Sequence, residues 1–251
     1  MQRQDDEKRL ADVAANLSRL CERRCEPCYS DFLSEGEQML VQRALFSGGG
    51  TRFMFWGGFE AAQRAMLCVY PEFCEPSESD FPLEALSVSF RSSAGLSHRD
   101  ILGALMGLGL KRGVIGDIVI SGGAATFFVK SELAPYIRAQ LEKVGREGVT
   151  FTEKGADLSK AAQQLSERQC TVSSLRLDAI VSECSGLSRA KAQQAVKGGL
   201  VAVNALVVCS VDRRVENGDK ISVRGFGKFV VGFDGSMSKK GKYRVTVSKY
   251  L

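Results

Sequence analysis

A single histidine, His98, stands in 251 residues. That scarcity argues against histidine-based metal sites, and a Ser-His-Asp triad could be built only around that one residue. Long apolar runs are absent as well. None approaches the ~18 residues of a membrane span, so no membrane partner is expected. The acidic start, Met1-Gln2-Arg3-Gln4-Asp5-Asp6-Glu7, has no apolar signal core behind it. Eight cysteines are scattered through the chain without secretory context, and they read as reduced thiols of a cytoplasmic protein. What is present, 44% hydrophobic and 25% charged residues, is ordinary globular composition, and the length fits two or three domains.

Charge is unevenly placed. Residues 172–251 hold 14 Lys/Arg against 6 Asp/Glu, a balance of +8, whereas residues 1–171 balance at −3. A basic C-terminal third on a slightly acidic body points to a polyanionic partner, or else to a solubilising surface.

Apolar spacing predicts a helix over residues 7–26, with Leu10, Val13, Leu17, Leu20 and Cys21 on one stripe and Pro27 ending it. A second helix is expected over 34–46, opened by a Ser34/Glu37 capping box and followed by the break Gly48-Gly49-Gly50. Residues 51–56 and 65–70 read as strands about Gly57-Gly58, and 71–82, with three prolines, as a linker. Next come a strand (83–90), a helix (97–110, boxed by Ser97 and Asp100) and a strand (115–120). The turn Ser121-Gly122-Gly123 leads to a strand (124–130), a helix (131–144) and a strand (149–152). This βαββαβ order is the split βαβ pattern of ferredoxin-like and RNA-recognition folds. Residues 153–170 read as a polar connector. Two short helices, 175–184 and 188–197, stop at Gly198-Gly199, and strands at 200–203, 206–209, 220–224, 229–233 and 243–248 complete the chain.

The helix pair carries the chemistry. On its first helix Leu177, Ile180, Val181 and Cys184 form an apolar stripe, with Arg176 and Glu183 beside it. On the second, Ala192, Ala195 and Val196 cover one arc, while Arg189, Gln193 and Lys197 fall at i, i+4, i+8 and line up in a row. Ser188 is placed as N-cap, leaving backbone N–H groups and a positive dipole end beside Arg189, which suits a phosphate. Arg189, Lys191 and Lys197 are the expected phosphate contacts, with Arg176, Arg213 and Arg224 secondary. Gln193 and Asn204 could reach 2′-hydroxyls or bases. On this reading Arg189→Ala weakens RNA binding and leaves thermal stability unchanged. The opposing reading is a helix hairpin whose cations are merely solvated.

Taken residue by residue, the run resembles the alpha-L RNA-binding domain of ribosomal small-subunit protein four. The matching elements are Leu175-Arg176-Leu177-Asp178, Ser188-Arg189-Ala190-Lys191-Ala192, Gly199-Leu200-Val201 with Val203-Asn204, and Gly218-Asp219. Upstream, Asp31-Phe32-Leu33, Gly57-Gly58-Phe59-Glu60 with Arg64, residues 97–106, and Gly116-Asp117-Ile118-Val119 resemble the YlmH-type bacterial proteins. That resemblance implies a ribosome-associated quality-control factor. Such a factor binds rRNA and tRNA on a large ribosomal subunit obstructed by peptidyl-tRNA and assists C-terminal tailing of the stalled chain. The expected fold is therefore α+β. It has an N-terminal helical and β-hairpin region (1–80), a middle ferredoxin-like, RNA-recognition-like plait (81–155) and a C-terminal alpha-L domain with short strands (172–251). A monomer is expected, with no cofactor, no metal and no catalytic residue.

Sharper readings compete with plainer ones. Cys21, Cys25 and Cys28 are spaced C-x3-C-x2-C, which resembles the cluster-binding spacing of radical S-adenosylmethionine enzymes, but no repeated βα barrel follows. Gly107-Leu108-Gly109 with Gly113 imitates a dinucleotide loop, yet it ends a helix and reads as a C-cap. His98, Arg99, Lys111 and Arg112 could form a second RNA surface, or serve only the ends of their helix. One ring of Phe127 and Phe128 could stack a base. Lys239, Lys240 and Lys242 form either a mobile phosphate clamp or a solvated loop tip. An alternative function is an RNA-modifying enzyme of the pseudouridine synthase type, whose Arg-Leu-Asp run Arg176-Leu177-Asp178 spells inside the small helix. A cell-division adaptor is a further alternative, for which the sequence offers no protein-binding face.

Overall fold

The computed structural model describes residues 2–47, 51–91, 94–161, 165–238 and 241–250. Gly48, Gly49, Gly50, Lys239 and Lys240 lie outside the described residues. The chain divides into two compact units, 1–162 and 163–251. Secondary structure is mixed α+β. Among the described residues no helix is long and apolar enough to cross a membrane.

The first unit opens with α1 (Gln2–Arg24), β1 (Cys28–Leu33), α2 (Glu35–Ser47), β2 (Arg52–Trp56) and β3 (Ala65–Tyr70). At the start of α2 the Ser34 backbone N–H donates to Glu37 Oε2 at 2.8 Å and the Glu37 N–H donates back to Ser34 Oγ at 3.5 Å, satisfying two donors the helix leaves open. The three strands form an antiparallel sheet in the order β1-β3-β2. β3 is central, and its residues Ala65–Val69 are all buried, as expected of a strand covered on both faces. Leu67 and Val69 face α1 and α2, joining Leu10, Ala14, Val41 and Leu45 in one core. Met66 and Cys68 face the other way.

The plait follows: β4 (Leu83–Ser89), α3 (His98–Gly107), β5 (Ile115–Ser121), β6 (Ala124–Lys130), α4 (Ala134–Gln140), the short pair β7 (Lys143–Val144) and β8 (Glu147–Gly148), and β9 (Thr150–Phe151). Its four-stranded sheet runs β5-β6-β4-β9, all pairs antiparallel. The first strand therefore sits beside the third and fourth, as a split βαβ pattern requires. The helix expected over 131–144 is shorter than its apolar spacing suggests. It begins one turn late, after the 3-10 turn Ser131–Leu133, and Leu141 leaves helical geometry so that Lys143 and Val144 pair back on Glu147 and Gly148 around Gly145.

Leu86, Val88, Ala125, Phe127 and Val129 pack under α3 and α4 with Ile101, Leu105 and Ile137. The other face of the plait is covered too, by the N-terminal sheet: Phe128 is buried with Phe32, Met66, Cys68 and Phe81. The unit is thus four layers, helices outside and two sheets within. Several residues that carry the YlmH-type resemblance hold these sheets together. A Cβ on Gly116 would lie 2.8 Å from Phe32 Cε1, and one on Gly58, at φ +99°, would lie 2.2 Å from the Phe128 ring. Arg64 donates to the Phe32, Ile115 and Arg112 carbonyls at 2.8, 3.1 and 3.3 Å, while Asp117 accepts from the backbone N–H groups of Gln63 and Arg64.

The second unit contains β10 (Leu165–Val172), α5 (Leu177–Ser185), α6 (Arg189–Lys197), β11 (Val201–Val203), β12 (Leu206–Val207), β13 (Lys220–Val223), β14 (Gly227–Gly232) and β15 (Tyr243–Tyr250). The sheet order is β10-β15-β14-β13-β11-β12. β10 corrects the expected connector: residues 165–172 pair along their length with β15. Its composition, Leu-Ser-Glu-Arg-Gln-Cys-Thr-Val, is polar because the strand lies at a sheet edge with exposed positions from Ser166 to Gln169. The two helices pack on one face of the sheet, through Leu177, Ile180, Val181, Ala192 and Val196 against Val203, Ile221, Phe229, Val231 and Val245.

Candidate nucleic-acid interface

The helix pair is organised by a residue that the row of cations did not reveal. Asp178 lies on the first turn of α5 amid Leu177, Ala179, Ile180 and Val181, and it is fully buried. An isolated buried carboxylate costs several kcal/mol, so its partners decide whether it is tolerated. They are Arg189 Nη2 to Oδ1 at 3.0 Å, Arg189 Nε to Oδ2 at 3.0 Å, Gln193 Nε2 to Oδ2 at 2.8 Å and Arg176 Nε to Oδ1 at 3.2 Å. Burial alone would raise the Asp178 pKa. The bonds from Arg189, Gln193 and Arg176 outweigh it and hold the carboxyl down to about 2. The signal was present in the sequence as an acid inside an apolar helical run.

The row of three is therefore divided. Arg189 and Gln193 turn toward Asp178, and Lys197 stands exposed in the last turn. Arg189 is not walled off: its side chain, like that of Arg176, keeps 44% exposure. The fork contact uses two of the guanidinium's five N–H donors, so the carboxylate does not exhaust it. Two arginines are thus held on one buried carboxylate at the surface, with exposed Lys191 on the same helix. Two positive charges against one negative leave a cationic surface with a fixed orientation. Ser188 caps α6, its hydroxyl accepting from the Lys191 N–H at 3.4 Å.

The remaining expected contacts separate into free and committed groups. Asn204 sits at φ +49° in the turn between β11 and β12. Its amide donates to Asp219 Oδ1 at 2.7 Å and its carbonyl oxygen accepts from the Lys220 N–H at 2.9 Å. Both ends of the amide hold the turn, which gives Asn204 a structural role besides the expected one as a base or ribose contact. Arg213 is half-buried, and its carbonyl accepts from the Leu177 N–H at 2.8 Å. Arg224 is exposed at the end of β13, and Lys242 is exposed as well.

In the first unit His98 and Arg99 begin α3 behind the Ser97 cap, and both are exposed, as is Lys111. Arg112 is not: its guanidinium turns inward to the carbonyls of Ile115 and Gly116. Burial and the neighbouring Arg64 charge bring Arg112 down to about 10. Partial desolvation and then Arg112 lower His98. Both rings considered for base stacking are buried. Phe127 belongs to the helix-side core, and Phe128 lies parallel to Phe59 with centroids 5.2 Å apart. The sheet face on which RNA-recognition folds stack bases is thus occupied by protein. Gly109, at φ +82° just past α3, serves the helix C-terminus.

Cys21 and Cys28 are buried in the N-terminal core and Cys25 is exposed; burial raises the first two thiols. Among the described residues no three His, Cys, Asp or Glu side chains are arranged to hold a metal ion.

Comparison with known proteins gives the following likenesses. The family model "Putative RNA-binding domain in YlmH" matches residues 76–157, the span of the plait. A solved structure titled cell division protein ylmH from Streptococcus pneumoniae aligns with a TM-score of 0.52 at 21% identity, covering 59% of this chain and 90% of that one, a likeness of fold. The ribosome-associated protein quality control protein P2 of Bacillus subtilis (strain 168) is 37% identical over 246 residues, which is 97% of this chain and 95% of the relative. With that identity running through both units, the chain belongs to the YlmH family of ribosome-associated quality-control proteins.

Proposed function

We propose that the protein is a non-enzymatic RNA-binding factor that docks on rRNA of the large ribosomal subunit through the α5–α6 face. There it recognises a subunit carrying peptidyl-tRNA and assists C-terminal tailing of the stalled chain. The observation that carries this reading is the buried Asp178, which fixes Arg176 and Arg189 at the surface beside Lys191 and Lys197. A-form RNA hides base edges in its deep groove, so such a module grips shape and phosphates. Arg176, Arg189, Lys191 and Lys197 are the proposed phosphate contacts, with Arg213 and Arg224 at the margin. Ser188 and the α6 N–H groups offer a further phosphate seat. Gln193 acts by positioning Asp178, and Asn204 leaves the contact set. His98, Arg99 and Lys111 are the proposed second RNA surface on the first unit, whose partner is the tRNA or adjacent rRNA, and Arg112, turned inward, leaves it.

The non-enzymatic reading is supported by the state of Asp178. A pseudouridine synthase needs an aspartate open to a uridine, whereas this one is buried and bonded by three side chains. A uridine-isomerisation assay on total rRNA is expected to show no activity. The function itself is tested by co-sedimentation with ribosomal subunits across a salt series, followed by crosslink mapping. The expected result is association with large subunits, strongest for those carrying peptidyl-tRNA. Association with free small subunits alone, or with no particle, overturns the assignment.

A further inference from the structure

Phe226 is a large apolar side chain left 40% exposed on the same unit that carries the cationic helix pair. It stands at the tip of the β13–β14 hairpin in the run Arg224-Gly225-Phe226-Gly227-Lys228. The tip is a defined turn. The Phe226 N–H donates to the Val223 carbonyl at 2.9 Å, and Gly225 and Gly227 adopt φ +86° and +119°, conformations suited to glycine. The ring is thus carried on a bonded turn, and the residues on either side have no side chain with which to cover it.

The chemistry around the tip is cationic. Arg224 is exposed, and its N–H donates to the Leu200 carbonyl at 2.9 Å, just past the end of α6 where Lys197 is exposed. Lys249 runs beside the turn, its Cε 3.2 Å from where a Gly227 Cβ would stand. No acid occurs between Lys220 and Phe233. An exposed ring framed by lysine and arginine matches nucleic acid, whose phosphates take the cations and whose bases offer a π-face.

We propose that Phe226 is a base-stacking platform: an unpaired nucleotide next to the RNA held by α5–α6 stacks on its ring, with Arg224 on the adjoining phosphate. This rests on the RNA-binding reading above. It adds a contact to single-stranded RNA that the helix row does not supply.

The test uses the full chain and two probes, a short single-stranded RNA with a central 2-aminopurine and the matching duplex. Phe226→Ala is expected to weaken single-strand binding roughly 5- to 150-fold. It should also abolish the 2-aminopurine fluorescence change and leave duplex affinity, salt slope and melting temperature unaltered. Phe226→Tyr keeps a π-face and is expected to retain binding, whereas Phe226→Leu is not. Unchanged single-strand affinity in Phe226→Ala, with the parent binding normally, overturns the proposal. Leu rescuing as well as Tyr, or loss of ribosome association without loss of RNA affinity, assigns the ring to a protein contact and overturns it too. Failure of the parent to bind either probe would instead strike the underlying RNA-binding reading, and the platform would fall with it.

Discussion

Removing Arg189 tests whether the cationic face is built on the buried carboxylate. Arg189→Ala deletes two of the four contacts that reach Asp178, the Nη2–Oδ1 and Nε–Oδ2 pairs, both at 3.0 Å. Breaking a buried ion pair costs roughly 3–5 kcal/mol because one charge is left without compensation. The guanidinium is half-exposed, which screens part of this, and Arg176 and Gln193 remain, so about 2–3 kcal/mol is the expected loss. In a unit of roughly 90 residues that corresponds to a fall in melting temperature of about 8–20 °C. Native-state hydrogen exchange on the amides of α5 and α6 reads the effect directly. Trp56, the single tryptophan, lies in the other unit, and its fluorescence should report an unshifted transition there. Arg189→Lys keeps a charge without the fork and should fall between the two. Protection within about 0.5 kcal/mol of the parent, the range of an ordinary surface substitution, would refute the reasoning. The sequence alone predicts that null result, because a helix-surface arginine shows no partner until the fold brings Asp178 beneath it.

Three further outcomes follow from the geometry. Because Asp178 titrates near 2 when folded, against an ordinary value of 3.8, its contribution is whole above about pH 4 and is lost as the pH falls toward 2. Acid unfolding of the second unit followed by circular dichroism should be less steep over that window in Asp178→Asn, and an unchanged curve would remove the aspartate as its source. Gly116→Ala places a methyl 2.8 Å from the Phe32 ring and should destabilise the first unit by about 1–3 kcal/mol in chemical denaturation; a neutral result would mean the two sheets yield more readily than their packing suggests. Asn204→Ala should lower stability by roughly 1–2 kcal/mol through the lost amide bonds while leaving RNA affinity intact at a temperature where the variant is folded, and a loss of affinity there would return Asn204 to the interface.

Much of the fold was legible wherever local chemistry decides it. The Ser34, Ser97 and Ser188 caps open α2, α3 and α6, and Ala124–Lys130 is a strand with the bounds that the Gly122-Gly123 turn and Lys130 imply. Elements set by distant pairing were not legible. Cys28–Leu33 and Leu165–Val172 are strands because β3 and β15 lie beside them, and neither has the apolar alternation that would announce it. The same division holds at the site. The i, i+4, i+8 spacing put Arg189, Gln193 and Lys197 on one helix face, whereas the pull of Asp178 on the first two depends on how α5 packs against α6. The glycines and Arg64 of the family pattern carried a resemblance without a stated role; the fold spends them on sheet-to-sheet contact, which local spacing does not show.

The most direct measurement is the salt dependence of binding to large ribosomal subunits for the parent chain and for Lys191→Ala/Lys197→Ala. Both lysines are exposed, so the double variant should melt at the parent temperature. Each phosphate contact contributes roughly 0.7–0.9 to the slope of log K against log salt, and the variant should therefore be shallower by about 1.4–1.8. A slope and affinity equal to the parent's would show that the α5–α6 face does not touch RNA.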